Sequence, residues 1–171
     1  MKVAVADEHD DVGFLVGLIN RVYTESEYGV WRDGYERTNA DEVAQFIKSR
    51  ELLVARDGQA VIGALRVRRL ADQLAEFGML VAEPAHRGTG VGRRLVAHAE
   101  QWARDQDLRT MQLELLVPRA WTHPVKEFLN DWYTRIGYRK LRTTQLEEAY
   151  PALQPFLATE SDFVIYHKDL R

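Results

Sequence analysis

Apolar and polar positions change period several times along the chain, and each change predicts an element. Lys2–Ala6 alternates weakly and predicts a first strand. From Asp10 onward Val12, Leu15, Val16, Ile19 and Val22 recur at helical spacing, which predicts a helix to about Tyr23. Thr24–Arg37 loses that period; it is polar and aromatic, contains Gly29 and Gly34, and reads as loop or broken helix. Asn39 is placed to cap a second helix, with Glu42 as capping-box partner and Val43, Phe46 and Ile47 as the apolar face. Leu52–Ala55 and Val61–Val67 flank Asp57-Gly58, a hairpin signal, and Leu74–Val81 follows as a longer strand.

Downstream, Val91, Leu95, Ala99 and Trp102 lie on one face of a third helix. Met111–Val117 predicts another strand. Pro124 suits a first helical position, and Val125, Phe128, Leu129, Trp132 and Ile136 form one apolar stripe that stops at Gly137. Tyr138–Gln145 and Phe163–His167 predict two last strands, separated by a segment holding Pro151 and Pro155. The order β-α-α-β-β-β-α-β-α-β-β predicts a mixed α/β (α+β) fold. With 171 residues, 46% of them hydrophobic, one domain spanning 1–171 is expected.

The net charge is −3 with both signs interspersed, which gives no general attraction to nucleic acid or to an anionic membrane. There is no cysteine, so disulfides, thiolate metal sites and a cysteine nucleophile drop out. His9, His86, His98, His123 and His167 have no metal-ligand spacing, so no metal is expected. The first residues carry no secretory pattern and no apolar run has the ~18 residues of a membrane span, so a cytoplasmic location is the default expectation.

The chemistry concentrates after Leu74–Val81. An apolar strand runs into a short loop, then Arg87-Gly88-Thr89-Gly90-Val91-Gly92-Arg93, then an amphipathic helix. Glycines let backbone N–H groups close on a bulky anion, and the helix adds its positive dipole end, so a phosphorylated ligand is expected here. Arg93 and Arg94 oppose that dipole unless an anion offsets them. A P-loop would need Gly-Lys-Ser/Thr, and Val-Gly-Arg follows Gly90 instead. A dinucleotide fingerprint would put its third glycine where Arg93 stands, with six residues from Ala82 to Arg87 intervening after the strand.

The order Arg87-Gly88-Thr89-Gly90-Val91-Gly92 fits Arg/Gln-x-x-Gly-x-Gly/Ala and resembles the acetyl-CoA pyrophosphate loop of the GNAT superfamily of N-acetyltransferases. The element order is similar over nearly the whole chain. The resemblance implies a central, mostly antiparallel sheet of about seven strands with flanking helices, and acetyl-CoA as co-substrate. It implies that Arg87, Gly88, Thr89, Gly90, Val91, Gly92 and Arg93 hold the pyrophosphate, and that the backbones of Leu80, Val81 and Ala82 meet pantetheine. Glu76, four residues before Leu80, matches the glutamate that serves as general base on the amine. Strand side chains alternate, so Glu76, Gly78 and Leu80 share one face, and Phe77, Met79 and Val81 the other.

Trp132-Tyr133-Thr134-Arg135-Ile136-Gly137-Tyr138 resembles the superfamily's Leu-Tyr-x-Lys-x-Gly-Phe motif, whose tyrosine stands near the thioester sulfur. A phenol is a donor at neutral pH and can protonate the departing thiolate. The family commonly has an Asn seven residues before this tyrosine. Here Lys126 stands there, open to a phosphate role, and Asn130 lies three before as a coenzyme contact. The fold implied places Tyr23–Tyr35 beside the acceptor, where Glu25, Glu27, Tyr28, Trp31 and Tyr35 combine carboxylates and aromatic faces suited to a cationic amine. Loop Arg119–Pro124, with His123, approaches substrate in relatives.

The reading is thus an acetyl-CoA-dependent N-acetyltransferase acting on a small-molecule or peptide amine by direct attack in a ternary complex. Its catalytic residues are Glu76 and Tyr133, its acceptor residues Glu27, Tyr28 and Trp31; a homodimer is compatible with it. A non-catalytic acyl-CoA-binding sensor on the same fold is the alternative, and a dinucleotide-dependent oxidoreductase a third.

Overall fold

The computed structural model describes Met1–Arg171. The fold is mixed α/β, with seven mostly antiparallel strands and flanking helices. The chain forms two compact units, Met1–Glu25 with Glu36–Met111 and Leu170–Arg171, and Ser26–Tyr35 with Gln112–Asp169. No helix is long and apolar enough to cross a membrane.

In the first unit β1 (Lys2–Val5), β2 (Leu52–Asp57), β3 (Ala60–Ala71) and β4 (Leu74–Ala82) are neighbours in that order, every pairing antiparallel. The Asp57-Gly58 signal becomes a hairpin in which Asp57 pairs with Ala60. Helix α1 (Val12–Ser26) starts at Asp11, whose side chain accepts the Phe14 N–H at 3.0 Å, and runs one turn beyond the expected end. Asn39 caps α2 (Ala40–Lys48) by accepting the Glu42 N–H at 2.9 Å. Only half of the capping box is as expected, because the Glu42 carboxylate accepts from the Thr38 hydroxyl at 3.1 Å.

Leu15, Leu18, Ile19 and Val22 of α1 and Val43 and Phe46 of α2 join Leu52, Val54, Ala64, Met79 and Val81 in one core cluster. Each such fully buried aliphatic side chain contributes about 1.5–3 kcal/mol. Helix α3 (Val91–Asp105) covers the opposite face, which alternates with the first along β3. Its first turn comes very close to the sheet: a Cβ on Gly63 would lie 2.6 Å from Val91 Cγ1 and 2.9 Å from the Val81 carbonyl oxygen. Gly63 therefore lets the α3 N-terminus sit on β3 and β4.

In the second unit β5 (Thr110–Pro118), β7 (Ser161–Asp169) and β6 (Arg139–Gln145) are neighbours in that order, with β6 antiparallel to β7. Val30, Leu116 and Leu146 form its small apolar cluster, with Trp31, Leu153, Leu157 and Phe163 packed against them. The proline segment folds into a short α5 (Leu146–Ala149) and a 3-10 turn at Pro151–Phe156. Helix α4 (Pro124–Arg135) has the expected limits but another face inward. It buries Lys126 and Tyr133, whereas Phe128, in the middle of the expected stripe, is 60% exposed.

Candidate active site

Strand β4 breaks its ladder in the middle. Ala64 pairs with Val81 and Arg66 with Gly78, so two steps along β3 face three along β4. The extra residue falls at Met79–Leu80, and Met79 takes φ 51°, a left-handed backbone that costs a non-glycine residue about 1–3 kcal/mol. Paired residues share a face of the sheet. Glu76, Gly78 and Val81 therefore all lie on the face of Ala64, Arg66 and Arg68, and Leu80 turns to the other. This corrects the unbroken alternation, which grouped Leu80 with Glu76. A strained bulge of this kind re-aims backbone groups, here directly before Leu80, Val81 and Ala82.

Beyond β4, Pro84–His86 makes one 3-10 turn and Arg87 follows it. Gly88 and Gly90 take φ 78° and 88°, and a Cβ on either meets nothing within 4 Å, so the space above the loop is open. Thr89 is tied down, donating to the His86 carbonyl from its amide at 3.2 Å and its hydroxyl at 2.7 Å. His86 buries its Nδ1 without a hydrogen-bond partner. Gly90 is the N-cap of α3 and brings no side-chain cap, and no acidic residue stands in the first turn. The amides of Val91, Gly92 and Arg93 at that helix start are thus suited to an anionic acceptor. Two ion pairs link α1 to the loop: Arg21 to Glu83 at 2.6 Å, and Arg87 to Glu25 at 3.5 Å.

Glu76 has a partner the sequence reading missed. Arg68, directly opposite on β3, brings Nη2 to 2.9 Å and Nε to 3.3 Å of Glu76 Oε1. The Glu76 side chain is 13% exposed, half-buried rather than solvated. An Arg-x-Arg run facing a glutamate across a hairpin was the available signal.

The second unit holds the remaining candidates and changes the meaning of several. Glu27 is buried: its Oε2 accepts from Lys126 Nζ and its Oε1 from Trp31 Nε1 at 3.1 Å. As a carboxylate for a cationic acceptor it is therefore corrected to an internal partner, and Lys126, which the sequence left open to a phosphate, is corrected likewise. Trp31 stacks on Tyr35 with ring centroids 4.0 Å apart. Tyr28 is 50% exposed and lies against the His123 ring at 4.4 Å.

His123 is buried and caps α4. Its Nδ1 accepts the Val125 N–H at 3.3 Å, so Nε2 carries the proton and donates to the Tyr28 carbonyl at 3.1 Å. Burial, and then the nearby Lys126 charge, lower its pKa below the ordinary histidine value. Tyr133 is buried among Trp132, Tyr138 and Tyr166. Asn130, one turn before it, accepts the Tyr166 hydroxyl through Oδ1 at 2.5 Å.

The family model of the acetyltransferase (GNAT) family matches residues 17–138. The chain belongs to the acetyltransferase (GNAT) family. Its fold is similar to that of the ribosomal-protein-alanine N-acetyltransferase of Brucella melitensis, at 16% identity and TM-score 0.73 with 99% of each chain covered. It is also similar to an aminoglycoside 6'-N-acetyltransferase complexed with coenzyme A, at 16% identity and TM-score 0.73 over 100% of this chain and 98% of that one. A third similar structure is yncA of Salmonella typhimurium with its cofactor acetyl-CoA, at 16% identity and TM-score 0.73 over 100% and 94% of the two chains.

Proposed function

We propose that this protein is an acetyl-CoA-dependent N-acetyltransferase that moves an acetyl group to a primary amine by direct attack in a ternary complex. The observation that carries the reading is the bulge of β4 at Met79, followed by left-handed Gly88 and Gly90 and an α3 start at Val91 without a side-chain cap. The first re-aims backbone groups and the second gathers amides around an anion, which is what a long ligand with a pyrophosphate and a reactive carbonyl requires.

Acetyl-CoA, when bound, supplies the acetyl thioester. Arg87 and the amides of Gly88–Arg93 hold its pyrophosphate. The backbones of Leu80, Val81 and Ala82 orient pantetheine, and an N–H near Val81 polarises the thioester carbonyl. Glu76, held by Arg68, takes the proton of the attacking amine. An alkylamine is mostly protonated at neutral pH, so a base is needed. Tyr133 donates its phenol proton to the departing sulfur. Tyr28 offers an exposed aromatic face to a cationic acceptor, and Trp31 is the second aromatic acceptor residue. The reading puts the reaction in the cytoplasm and holds for a monomer or a homodimer.

Calorimetric titration of acetyl-CoA, followed by an acceptor screen over polyamines, aminoglycosides, amino acids and peptide N-termini, tests the reading. Binding together with amine-dependent thiol release supports it. Binding without release for any amine leaves the non-catalytic sensor, and no binding removes both.

A further inference from the structure

Helix α4 turns a partly polar face inward and leaves most of its apolar stripe half-buried. Val125, Phe128, Leu129 and Trp132 would turn one face inward, yet Phe128 is exposed and the helix buries Lys126 and Tyr133. Lys126, Asn130 and Tyr133 follow at i, i+4 and i+7, one face of a helix. Lys126 Nζ is anchored to Glu27 Oε2, and Asn130 Oδ1 to the Tyr166 hydroxyl. Glu27 is fixed in turn by Trp31, which stacks on Tyr35.

The two charged side chains are only 5% and 6% exposed. For stability alone such a pair is a poor choice, because well-packed apolar residues of similar volume do as well or better. What it supplies is direction. Any slide or rotation of α4 that parts the pair leaves a buried charge alone, whereas an apolar contact tolerates several packings.

We propose that the buried Lys126–Glu27 pair is a positioning device that fixes the rotation of α4 and thereby the placement of the Tyr133 phenol for turnover. The proposal rests on the assignment of Tyr133 made above. Neither member of the pair touches the reacting atoms; both act through the helix.

The test exchanges the whole pair for apolar residues, Lys126→Met together with Glu27→Leu, in the full chain. The exchanged protein should melt at or above the wild-type temperature and bind acetyl-CoA as wild type does. Its kcat should fall roughly 10–100-fold, the usual effect of a misplacement of about 1 Å. In a Tyr133→Phe background the same exchange should change kcat little, since the group it positions is gone. Lys126→Met alone, which strands Glu27, should lower the melting temperature. If the apolar exchange does not fold, Lys126→Gln with Glu27→Gln keeps length without charge and is read in the same way. Wild-type kcat in a folded exchange overturns the proposal. So does an undiminished further loss in the Tyr133→Phe background, which would leave Tyr133 in its role but the pair acting elsewhere. Wild-type turnover by Tyr133→Phe itself removes the assignment of Tyr133, and the proposal with it.

Discussion

Arg68 and Glu76 face each other across the β3–β4 ladder, and both Nη2 and Nε of the arginine point to the same oxygen, Glu76 Oε1. The arginine thus fixes the carboxylate's orientation on the face that also carries Val81. On the proposed mechanism, an amine approaching Glu76 would meet an oriented carboxylate with a guanidinium beside it.

With that geometry Glu76→Gln should lower kcat near neutral pH by about 10²–10⁴, the usual span for a general base, while acetyl-CoA affinity stays the same. The remaining rate should track the acceptor's free-base fraction and keep rising with pH beyond the wild-type plateau. Paired pH–rate profiles check this; superimposable curves would take Glu76 out of the mechanism.

Two glycines should fail for different reasons. Gly90→Val forces φ 88° on a β-branched residue in otherwise open space, so it should cost about 1–3 kcal/mol in strain and also weaken acetyl-CoA binding. Gly63→Ala meets Val91 Cγ1 at 2.6 Å and a backbone oxygen at 2.9 Å, so overpacking should cost about 1–3 kcal/mol. Melting curves with parallel calorimetry separate the two. Unchanged coenzyme affinity in folded Gly90→Val would contradict the loop assignment.

Acid should destabilise the protein through two histidines, His123 buried and His167 half-buried. Burial lowers the pKa of His123, helped by Lys126, and that of His167, helped by Arg142. The unfolded chain takes up these protons at the ordinary value near 6.5, before the folded one does. Their contribution to stability is therefore full above that value and is lost as pH falls from it through the lower folded pKa values. His123→Asn keeps an acceptor for the Val125 N–H, and His167→Gln keeps a polar group towards Gln112. The double variant should lose less melting temperature than wild type between about pH 7.5 and about pH 5.5. Parallel losses would refute this account of the acid limb.

Most of the fold was legible because apolar periodicity and capping residues are local. Asn39 with Glu42, Asp57-Gly58 and Pro124 each mark an element that the structure contains. The glycine loop was legible for the same reason, since Gly88 and Gly90 act through their own backbone angles. What local pattern does not carry is long-range pairing. Met79 gives no hint of a bulge, because the extra residue exists only relative to β3. The rotation of α4 escaped because Lys126 meets Glu27 from 99 residues away, a contact that no local pattern carries. The same separation turned Glu27 from an apparent acceptor residue into an internal one. The proposed roles of Glu76 and Tyr133 rest on the resemblance rather than on periodicity.

The most direct test is a single-turnover experiment with the enzyme in excess over acetyl-CoA, following free thiol before and after an amine from the acceptor screen is added. The account predicts no thiol and no acetylated protein until the amine arrives. One equivalent of thiol and one of acetylated amine should then appear together, at a rate that Tyr133→Phe lowers by about 10²–10⁴. Thiol released with an acetylated protein before the amine is present would contradict direct attack, and bound acetyl-CoA that no amine discharges would contradict acetyl transfer itself.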